Sequence, residues 1–203
     1  MSSVSAGAGL RERKKAQTRT AFIDAASELF AKRGYDTVTV EDICAAVDVS
    51  PRTFFRYFSA KADLVVAAVT DMLGELLDDL RARPDGERAG DSLREVLLQA
   101  GDRIARQKPQ YLSMARVIRA APELVGGNAA AFMDWEGEMT SEVARRLAPA
   151  AAAHARLLAG VTLTAFRVAM DEWVEGDGKG SARERIKANL DLVEPAARRL
   201  ERP

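Results

Sequence analysis

The chain has 203 residues, of which 47% are apolar, 30 are Lys or Arg and 30 are Asp or Glu. Such a composition excludes an intrinsically disordered chain, and the length fits one domain or a small domain joined to a larger one. With one Cys and one His, the sequence offers neither an internal disulfide nor a Cys/His metal cage, and we expect no cofactor.

The N-terminus and the hydropathy of the chain indicate a soluble cytoplasmic protein. Residues 1–9 are small and polar and lack the apolar stretch of a secretory signal. The longest uncharged stretches, such as Leu157–Phe166, cover about 10 residues, whereas a membrane-spanning helix needs roughly 20. Cys44 is therefore expected to stay a reduced thiol.

The composition predicts an all-α fold of about nine helices, because Ala, Leu, Arg and Glu dominate and no stretch alternates apolar and polar residues. The first helix is predicted over Lys14–Arg33, and Gly34 is suited to end it. Thr39 is a good N-cap for a second, short helix that ends near Val47.

A third short helix is predicted after a tight turn at Asp48-Val49. Ser50 is its expected N-cap, Pro51 occupies the first helical position, and the helix covers Arg52–Phe58. Two short helices joined by such a turn form a helix-turn-helix unit.

The remaining helices follow from apolar stripes separated by Pro and Gly. Ser92-x-x-Glu95 and Ser181-x-x-Glu184 match capping boxes for the fifth and ninth helices. Pro195 lies within the ninth helix and should kink or split it. The fourth helix is predicted over Ala60–Arg83, the fifth follows the cap at Ser92 and the sixth starts at Pro109. After a break near Pro122 and Gly126-Gly127, the seventh covers Phe132–Leu147, the eighth covers Ala150–Glu175 and the ninth follows the cap at Ser181.

The third helix carries side chains that are suited to contacts with DNA. A recognition helix presents polar groups from its first turn to base edges in the major groove, and Arg52, Thr53 and Arg56 occupy such positions. Arg can bind guanine through two hydrogen bonds, and the Thr methyl group can contact thymine. Further polar residues are placed to hold phosphates, namely Thr39, Ser50, Tyr57 and Lys61.

Three segments carry a family resemblance: Gly34-Tyr35, Thr37-Val38-Thr39-Val40-Glu41-Asp42-Ile43 and Val49-Ser50-Pro51-Arg52-Thr53-Phe54-Phe55-Arg56-Tyr57-Phe58-Ser59-Ala60-Lys61-Ala62-Asp63-Leu64. In these segments the chain resembles the DNA-binding domain of the TetR/AcrR family of one-component transcriptional regulators. The resemblance implies an N-terminal three-helix DNA-binding domain and a C-terminal helical domain that binds an effector and dimerises. The DNA contacts that it implies are made by Thr39, Ser50, Pro51, Arg52, Thr53, Phe55, Arg56, Tyr57 and Lys61.

The sequence departs from the family pattern at two positions. Phe55 stands where many members have Tyr and therefore lacks a hydroxyl for a phosphate. Asp48 stands where Gly is common, and Asp tolerates a left-handed turn less freely than Gly. The predicted organisation is a flexible basic arm over residues 1–13, the helix-turn-helix domain over residues 14–61 and the ligand-binding and dimerisation domain over residues 62–203.

The zero net charge of the whole chain, taken alone, argues against a nucleic-acid partner. The charge is unevenly distributed, since residues 1–61 carry 10 basic and 7 acidic side chains and residues 62–203 carry 20 and 23. The neutral total therefore does not exclude DNA. Five basic residues near the start either contact the DNA backbone or minor groove or form a solvated terminus: Arg11, Arg13, Lys14, Lys15 and Arg19.

The C-terminal helices carry soft and aromatic residues that suit an adaptable apolar pocket, although their spacing also fits an ordinary core. The resemblance implies a small effector in this domain that changes the separation of the two DNA-binding domains. Arg167 lies in an apolar stretch and needs a partner such as Glu172, an acidic ligand or a polar dimer contact. The candidate pocket residues are Met72, Leu76, Met114, Ile118, Phe132, Trp135, Met139, Phe166, Arg167, Met170 and Trp173.

A local pattern refines the expected effector. The run Met114-Ala-Arg116-Val-Ile118-Arg119-Ala-Ala-Pro122-Glu123-Leu124, followed by Trp135, is similar to an actinobacterial subgroup that includes mycofactocin-associated regulators. This likeness implies long-chain acyl thioesters as effectors. Without it, the expectation is a small apolar or amphipathic molecule.

The last two helices are candidates for a dimer interface. The eighth helix is apolar nearly all round, so it has to be buried by its own domain and by something else. In the ninth helix, apolar residues are spaced by 4 and 3 residues, which suits packing either inside the protomer or between protomers. We expect a two-fold dimer, with two recognition helices on a palindromic operator, through Leu158, Val161, Ile186, Leu190, Val193 and Ala197.

An enzyme and a helical ligand carrier without DNA binding are the rival classes. His154 and Cys44 form no evident acid–base or nucleophilic centre, and the sequence has no nucleophile elbow or Walker loop. The glycines of Gly176–Gly180 follow a helix rather than a strand, which favours a linker over a phosphate loop. A carrier leaves the polar turn of the third helix unexplained. The sequence therefore predicts a homodimeric transcriptional regulator, most often a repressor in this family, released from its operator by a small apolar effector.

Overall fold

A computed structural model of the protein describes the backbone of residues 3–121 and 129–202 and the side chains of residues 12–121 and 132–202. Within these ranges the chain forms nine α-helices, one 3₁₀ helix and no strand, which confirms the all-α prediction. The elements are α1 Ser3–Arg33, α2 Val40–Val47, α3 Pro51–Phe54, α4 Ala62–Arg81, α5 Ala89–Arg106, α6 Lys108–Ala120, α7 Ala129–Arg146, the 3₁₀ helix Pro149–His154, α8 Ala155–Glu175 and α9 Ala182–Leu200. None of the helices in the described ranges is long and apolar enough to span a bilayer.

The chain divides into two units by its internal contacts. The N-terminal unit comprises Met1–Val69 and Pro109–Gly127, and the C-terminal unit comprises Thr70–Lys108 and Asn128–Pro203. The sequence predicts the domain boundary between residues 61 and 62. In the structure, Leu64 and Val65 at the start of α4 are buried in the N-terminal core, so the N-terminal unit includes the start of this helix.

The N-terminal core forms around aromatic side chains of α1 and α3. Phe22, Phe30 and Phe54 are almost fully buried, and Met114 of α6 packs into the same cluster. Helix α1 begins at Ser3 rather than near Lys14, so the basic residues before the core are helical in the structure. Gly34 ends α1 with a positive φ of 83°, as the sequence predicts.

The C-terminal unit is built around α8, which packs against α9, α7 and α5. Its largest buried side chains include Trp173, Leu158 and Ile186. Of the two expectations for Pro195, a kink or a split, the structure contradicts the split, because α9 runs unbroken over Ala182–Leu200. Pro195 is exposed, so water can satisfy the carbonyl that lacks its N–H partner.

Besides the start of α1, three predicted helix starts or ends are wrong. Helix α5 begins at Ala89 and not at the Ser92 box, because Ser92 is buried inside the helix and donates to Glu87 Oε2 at 2.7 Å. Helix α3 ends at Phe54 and is followed by turns rather than by helix to Phe58. The eighth helix begins at Ala155 after the 3₁₀ helix, and not near Ala150. The predicted break at Pro122 and Gly126-Gly127 lies outside the described residues.

Candidate nucleic-acid interface

Buried aromatic rings pack against the inner face of α3. The rings of Phe22 and Phe54 meet edge to face with centroids 5.4 Å apart, and Phe58 meets Phe22 at 6.0 Å in the same manner. Such pairs stabilise a fixed geometry beyond the burial of their area. Because Phe54 and Phe58 point inward, the residues between and before them are turned outward.

The first turn of α2 begins at the predicted N-cap Thr39, and the structure completes this cap to a capping box with Asp42. The Thr39 hydroxyl accepts from the N–H of Asp42 at 3.1 Å, and the N–H of Thr39 donates to Asp42 Oδ2 at 2.9 Å. The guanidinium of Arg33 reaches the same carboxylate at 3.0 Å. The hydrogen bond from Arg33, followed by those from Thr39, lowers the pKa of Asp42 to about 2. The Thr39 hydroxyl also donates to Asp42 Oδ2 at 3.0 Å, so its proton is already used within the domain.

The turn between α2 and α3 adopts the geometry that its residues favour. Asp48 takes the left-handed conformation with φ 56° and ψ 48°, which Asp tolerates better than most residues other than Gly. Ser50 is the N-cap of α3, and its hydroxyl accepts from the N–H of Thr53 at 3.3 Å. Pro51 occupies the first helical position, where a missing N–H costs nothing.

Arg52 of α3 and Arg56 in the turn that follows it present their guanidinium groups outward. Arg52 and Arg56 are exposed, and neither forms an ion pair within the described part of the chain. Arg56 lies 5.2 Å from the ring centroid of Tyr57, which keeps that side chain over an aromatic face. Phe55 is 57% exposed although it is a large apolar residue. The structure therefore places the predicted base-contacting residues close together in the chain, with Arg52 and Thr53 in α3 and Arg56 in the turn after it.

Lys61 forms its contacts within the N-terminal unit. Its ammonium donates to the carbonyl oxygen of Tyr35 at 2.6 Å and to that of Val38 at 2.8 Å. The same nitrogen lies 4.2 Å from the centroid of the Tyr35 ring. Burial, aided by the charges of Asp36 and Asp63, raises the pKa of Tyr35, so this ring stays neutral at ordinary pH.

Most candidate pocket residues of the C-terminal unit are core residues. Leu76, Met139, Phe166, Met170 and Trp173 are buried. Met72 and Trp135 are half-buried, and the indole N–H of Trp135 donates to Leu73 O at 2.7 Å. Phe132 is exposed, whereas Met114 and Ile118 pack in the N-terminal core.

Arg167 does not point into the core of its unit. Its side chain is exposed and pairs with Asp171 at 3.2 Å, whereas the predicted partner Glu172 lies 3.9 Å from Arg185. Two cavities of the C-terminal unit are lined by residues other than the candidate pocket residues. One, of about 30 Å³, lies between α5 and α9 beside Thr162 and Leu190, and the other is an open groove of about 730 Å³ along Arg81 and Ser141.

The predicted dimer residues lie mostly inside the protomer. Leu158, Ile186, Leu190 and Ala197 are buried by neighbouring helices of the same chain, and Val161 and Val193 are half-buried. The 4 and 3 spacing in α9 thus describes the face that packs within the C-terminal unit.

The outward faces of α8 and α9 carry apolar residues that sequence reasoning missed. On α8, exposed positions Leu157, Gly160, Thr164 and Val168 follow one another at helical spacing. On α9, Leu192 is 79% exposed, the highest value among the exposed large apolar residues of the described chain. The sequence of α8 is apolar on nearly all sides, which indicates that its outward face is apolar too. This pattern does not identify the residues on that face.

Comparisons with known proteins agree with this architecture. Residues 22–68 match the family model of bacterial regulatory proteins of the tetR family, and residues 87–198 match the MftR C-terminal domain. The chain is 33% identical over 146 residues to the HTH-type transcriptional regulator TcmR of Streptomyces glaucescens, a match that covers 69% of this chain and 65%, just under two thirds, of TcmR.

Two further proteins are similar over nearly the whole chain. MftR of Mycobacterium tuberculosis, for which a role as transcriptional regulator of mycofactocin biosynthesis has been proposed, is 29% identical over 191 residues, which cover 89% of this chain and 91% of MftR. The crystal structure of Thermus thermophilus FadR, a TetR-family transcriptional repressor in complex with lauroyl-CoA, has a TM-score of 0.56 at 21% identity, and the match covers 87% of this chain and 93% of FadR. The chain therefore belongs to the TetR family of bacterial regulatory proteins, with an MftR-type C-terminal domain, and is a DNA-binding transcriptional regulator.

Proposed function

We propose that α3 and the turn after it read a specific operator through Arg52, Thr53 and Arg56. The observation that carries this proposal is the pair of exposed guanidiniums without an ion pair in the described part of the chain, on a segment fixed by buried Phe54 and Phe58. Free guanidiniums suit two hydrogen bonds to guanine, and the Thr53 methyl group suits thymine. We infer that Phe55 adds an apolar contact, since it has no hydroxyl for a phosphate.

Phosphate contacts would position this turn on the duplex. Ser50, Pro51 and Tyr57 flank the base-contacting residues, and Thr39 begins α2, whose N-terminal end carries the positive end of the helix dipole. Because the Thr39 hydroxyl donates to Asp42, we expect the helix end rather than this hydroxyl to attract the phosphate. Lys14 and Lys15 are exposed on α1 and would add backbone contacts, whereas the side chain of Arg11 lies outside the described residues.

Two protomers would read a palindromic operator. We infer that the dimer forms through the outward faces of α8 and α9, which carry Leu157, Val168 and Leu192. Gly160 on the same face of α8 has open space around it, so a second backbone can approach closely there. A two-fold axis through these faces pairs the recognition helices on two half-sites.

The effector is proposed to be a molecule with a long apolar chain. The resemblance of residues 114–124 to mycofactocin-associated regulators implies this class, and lauroyl-CoA in the similar Thermus thermophilus FadR gives a first compound to test. Met72 and Trp135 are the candidate pocket residues that the C-terminal unit leaves half-buried, and their soft or aromatic side chains suit an acyl chain. Release follows when the effector binds more tightly to the dimer geometry that does not fit the operator.

We infer that the protein acts in the cytoplasm, where DNA is accessible, and by binding rather than by catalysis. Selection of duplexes from a random pool by the full chain tests the function. We expect a palindromic consensus, with binding that weakens steeply as salt rises and that weakens further when an acyl-CoA is added. Recovery of no consensus would contradict the proposal and favour a ligand carrier.

A further inference from the structure

The ammonium of Lys61 has its nearest partners inside the N-terminal unit, because it donates two hydrogen bonds to main-chain carbonyl oxygens and also lies beside an aromatic ring. An ammonium has three N–H donors and no acceptor. Two donors are used by the carbonyl oxygens of Tyr35 and Val38, and the face of the Tyr35 ring lies beside the same nitrogen. The half-buried side chain therefore has its partners within the N-terminal unit before any DNA is bound.

These contacts join two segments that are distant in sequence. Lys61 lies 26 residues after Tyr35, in the loop between α3 and α4. Its own loop is held by Asp63, whose carboxylate accepts from the N–H groups of Ser59 at 2.6 Å and Ala60 at 3.1 Å. The other segment is the connector between α1 and α2, residues 34–39.

The connector ends at the N-cap of α2. Val38 is buried and directly precedes Thr39, whose capping box sets the first turn of α2. A bond from Lys61 to the Val38 carbonyl thus fixes the main chain one residue before this helix end. The loop that carries Lys61 also follows α3, so one side chain relates the two helices of the helix-turn-helix unit.

We propose that Lys61 is a positioning residue for DNA binding, and that it does not contact phosphate. It holds the N-terminal end of α2 at the distance from α3 at which one duplex meets both. An ammonium that moved to a phosphate would leave the Tyr35 and Val38 carbonyls without this donor. This inference rests on the proposed DNA-binding function.

Substitution of Lys61 by Arg separates the two roles. Arg keeps the charge and donates to phosphate at least as well as Lys, but its planar fork cannot replace a compact ammonium between two carbonyls and a ring. We expect Lys61→Arg and Lys61→Met to bind the selected operator at least tenfold more weakly than the wild type in fluorescence anisotropy. Lys32→Met is the matched control, because Lys32 is exposed on α1 and pairs only with Glu28 among the described residues.

A phosphate contact predicts a different pattern. Lys61→Arg would then bind as tightly as the wild type, and Lys61→Met would reduce the slope of log K against log salt by about 0.9. That pattern would overturn the inference. Hydrogen exchange of the free protein adds a readout that a general loss of stability would not produce: we expect faster exchange for amides in residues 34–40 but not for those in the buried part of α1. Unchanged exchange in residues 34–40 would also overturn it.

A measurement on the unmodified chain completes the test. The Lys61 ¹⁵Nζ resonance should be observable in the free protein and should change little when the operator is added, because its partners stay the same. A coupling across a hydrogen bond to a DNA ³¹P nucleus would overturn the inference. If the wild type does not prefer its operator to a scrambled duplex, the proposed function fails. If the wild type prefers its operator and Lys61→Arg binds it equally well, only the role of Lys61 is contradicted.

Discussion

Arg146 caps the carboxyl end of α4 through the main chain of Leu80. Its side chain is fully buried, and Nη2 donates to the carbonyl oxygen of Leu80 at 2.6 Å and to that of Arg83 at 3.2 Å, while Nη1 donates to Pro84 O at 3.1 Å. Glu142 balances the charge by accepting from Nε at 3.1 Å. A cation is favoured at the carbonyl end of a helix, so Arg146 joins α7 to α4 within the C-terminal unit.

We expect Arg146→Met to lower the free energy of unfolding by about 2–4 kcal/mol, because three carbonyls and a carboxylate lose their buried donor. Arg145→Met is the control. Arg145 is half exposed and pairs with Glu142 and Asp85, so its loss should cost much less than the loss of Arg146. Urea unfolding of both variants measures the difference, and equal losses would contradict the capping role.

The capping box of α2 should make the stability of the N-terminal unit sensitive to acid. The pKa of Asp42 is about 2 in the folded protein, below its ordinary value of 3.8, because Arg33 and Thr39 hydrogen-bond to the carboxylate. A lowered folded-state pKa contributes stability that is fully present above the unfolded pKa and is lost as pH falls from about 4 to about 2.

Asp42→Asn should therefore destabilise the protein at pH 7, and the difference from the wild type should shrink steadily between pH 5 and pH 2. Urea unfolding across this range measures the difference, in which the titration of other carboxylates cancels. If the difference in the free energy of unfolding between the two proteins stays constant down to pH 2, the low pKa of Asp42 is ruled out.

Helix α5 passes close to α9 at Gly101. A Cβ atom added at Gly101 would overlap the Cδ1 atom of buried Ile186, whereas a Cβ at Gly74 in α4 meets nothing within 4 Å. We expect Gly101→Ala to destabilise by about 1–3 kcal/mol and Gly74→Ala to stabilise by about 0.5–1 kcal/mol. Thermal unfolding should show opposite shifts for the two variants, and a neutral Gly101→Ala would mean that Ile186 can move aside.

The dimer proposal predicts that Leu192→Glu yields folded monomers, because the substitution places a charge on the outward face of α9. Leu190→Glu is the contrasting variant. Leu190 is buried within the protomer, so this change should unfold the C-terminal unit at a cost of about 3 kcal/mol or more. Sedimentation and circular dichroism together distinguish the two results. A Leu192→Glu protein that sediments as the wild-type dimer would move the interface elsewhere.

Sequence reasoning succeeded where structure depends on neighbouring residues. The caps at Thr39 and Ser50, Pro51 at the first position of α3 and the end of α1 at Gly34 are local rules, and the structure follows them. These rules placed the helix-turn-helix unit and the exposed side chains of α3.

Long-range contacts explain the failures. Helix α5 is capped at its start by Glu201, whose carboxylate accepts from the N–H of Gly90 at 2.8 Å across 111 residues, so the Ser92 box is not used. A 4 and 3 spacing in α9 could not distinguish a face that packs inside the protomer from one that packs against a partner. The two hydrogen bonds of Lys61 to a connector that is remote in sequence could not be predicted from local rules either.

Operator discrimination by the wild type and by Arg52→Ala tests the central claim most directly. At one fixed salt concentration, we expect the wild type to bind its selected operator about 10³-fold or more tightly than a scrambled duplex of equal length. Arg52→Ala should lose about 1–3 kcal/mol of binding free energy on the operator and little on the scrambled duplex. A wild-type protein that binds both duplexes equally would contradict specific reading of DNA by α3.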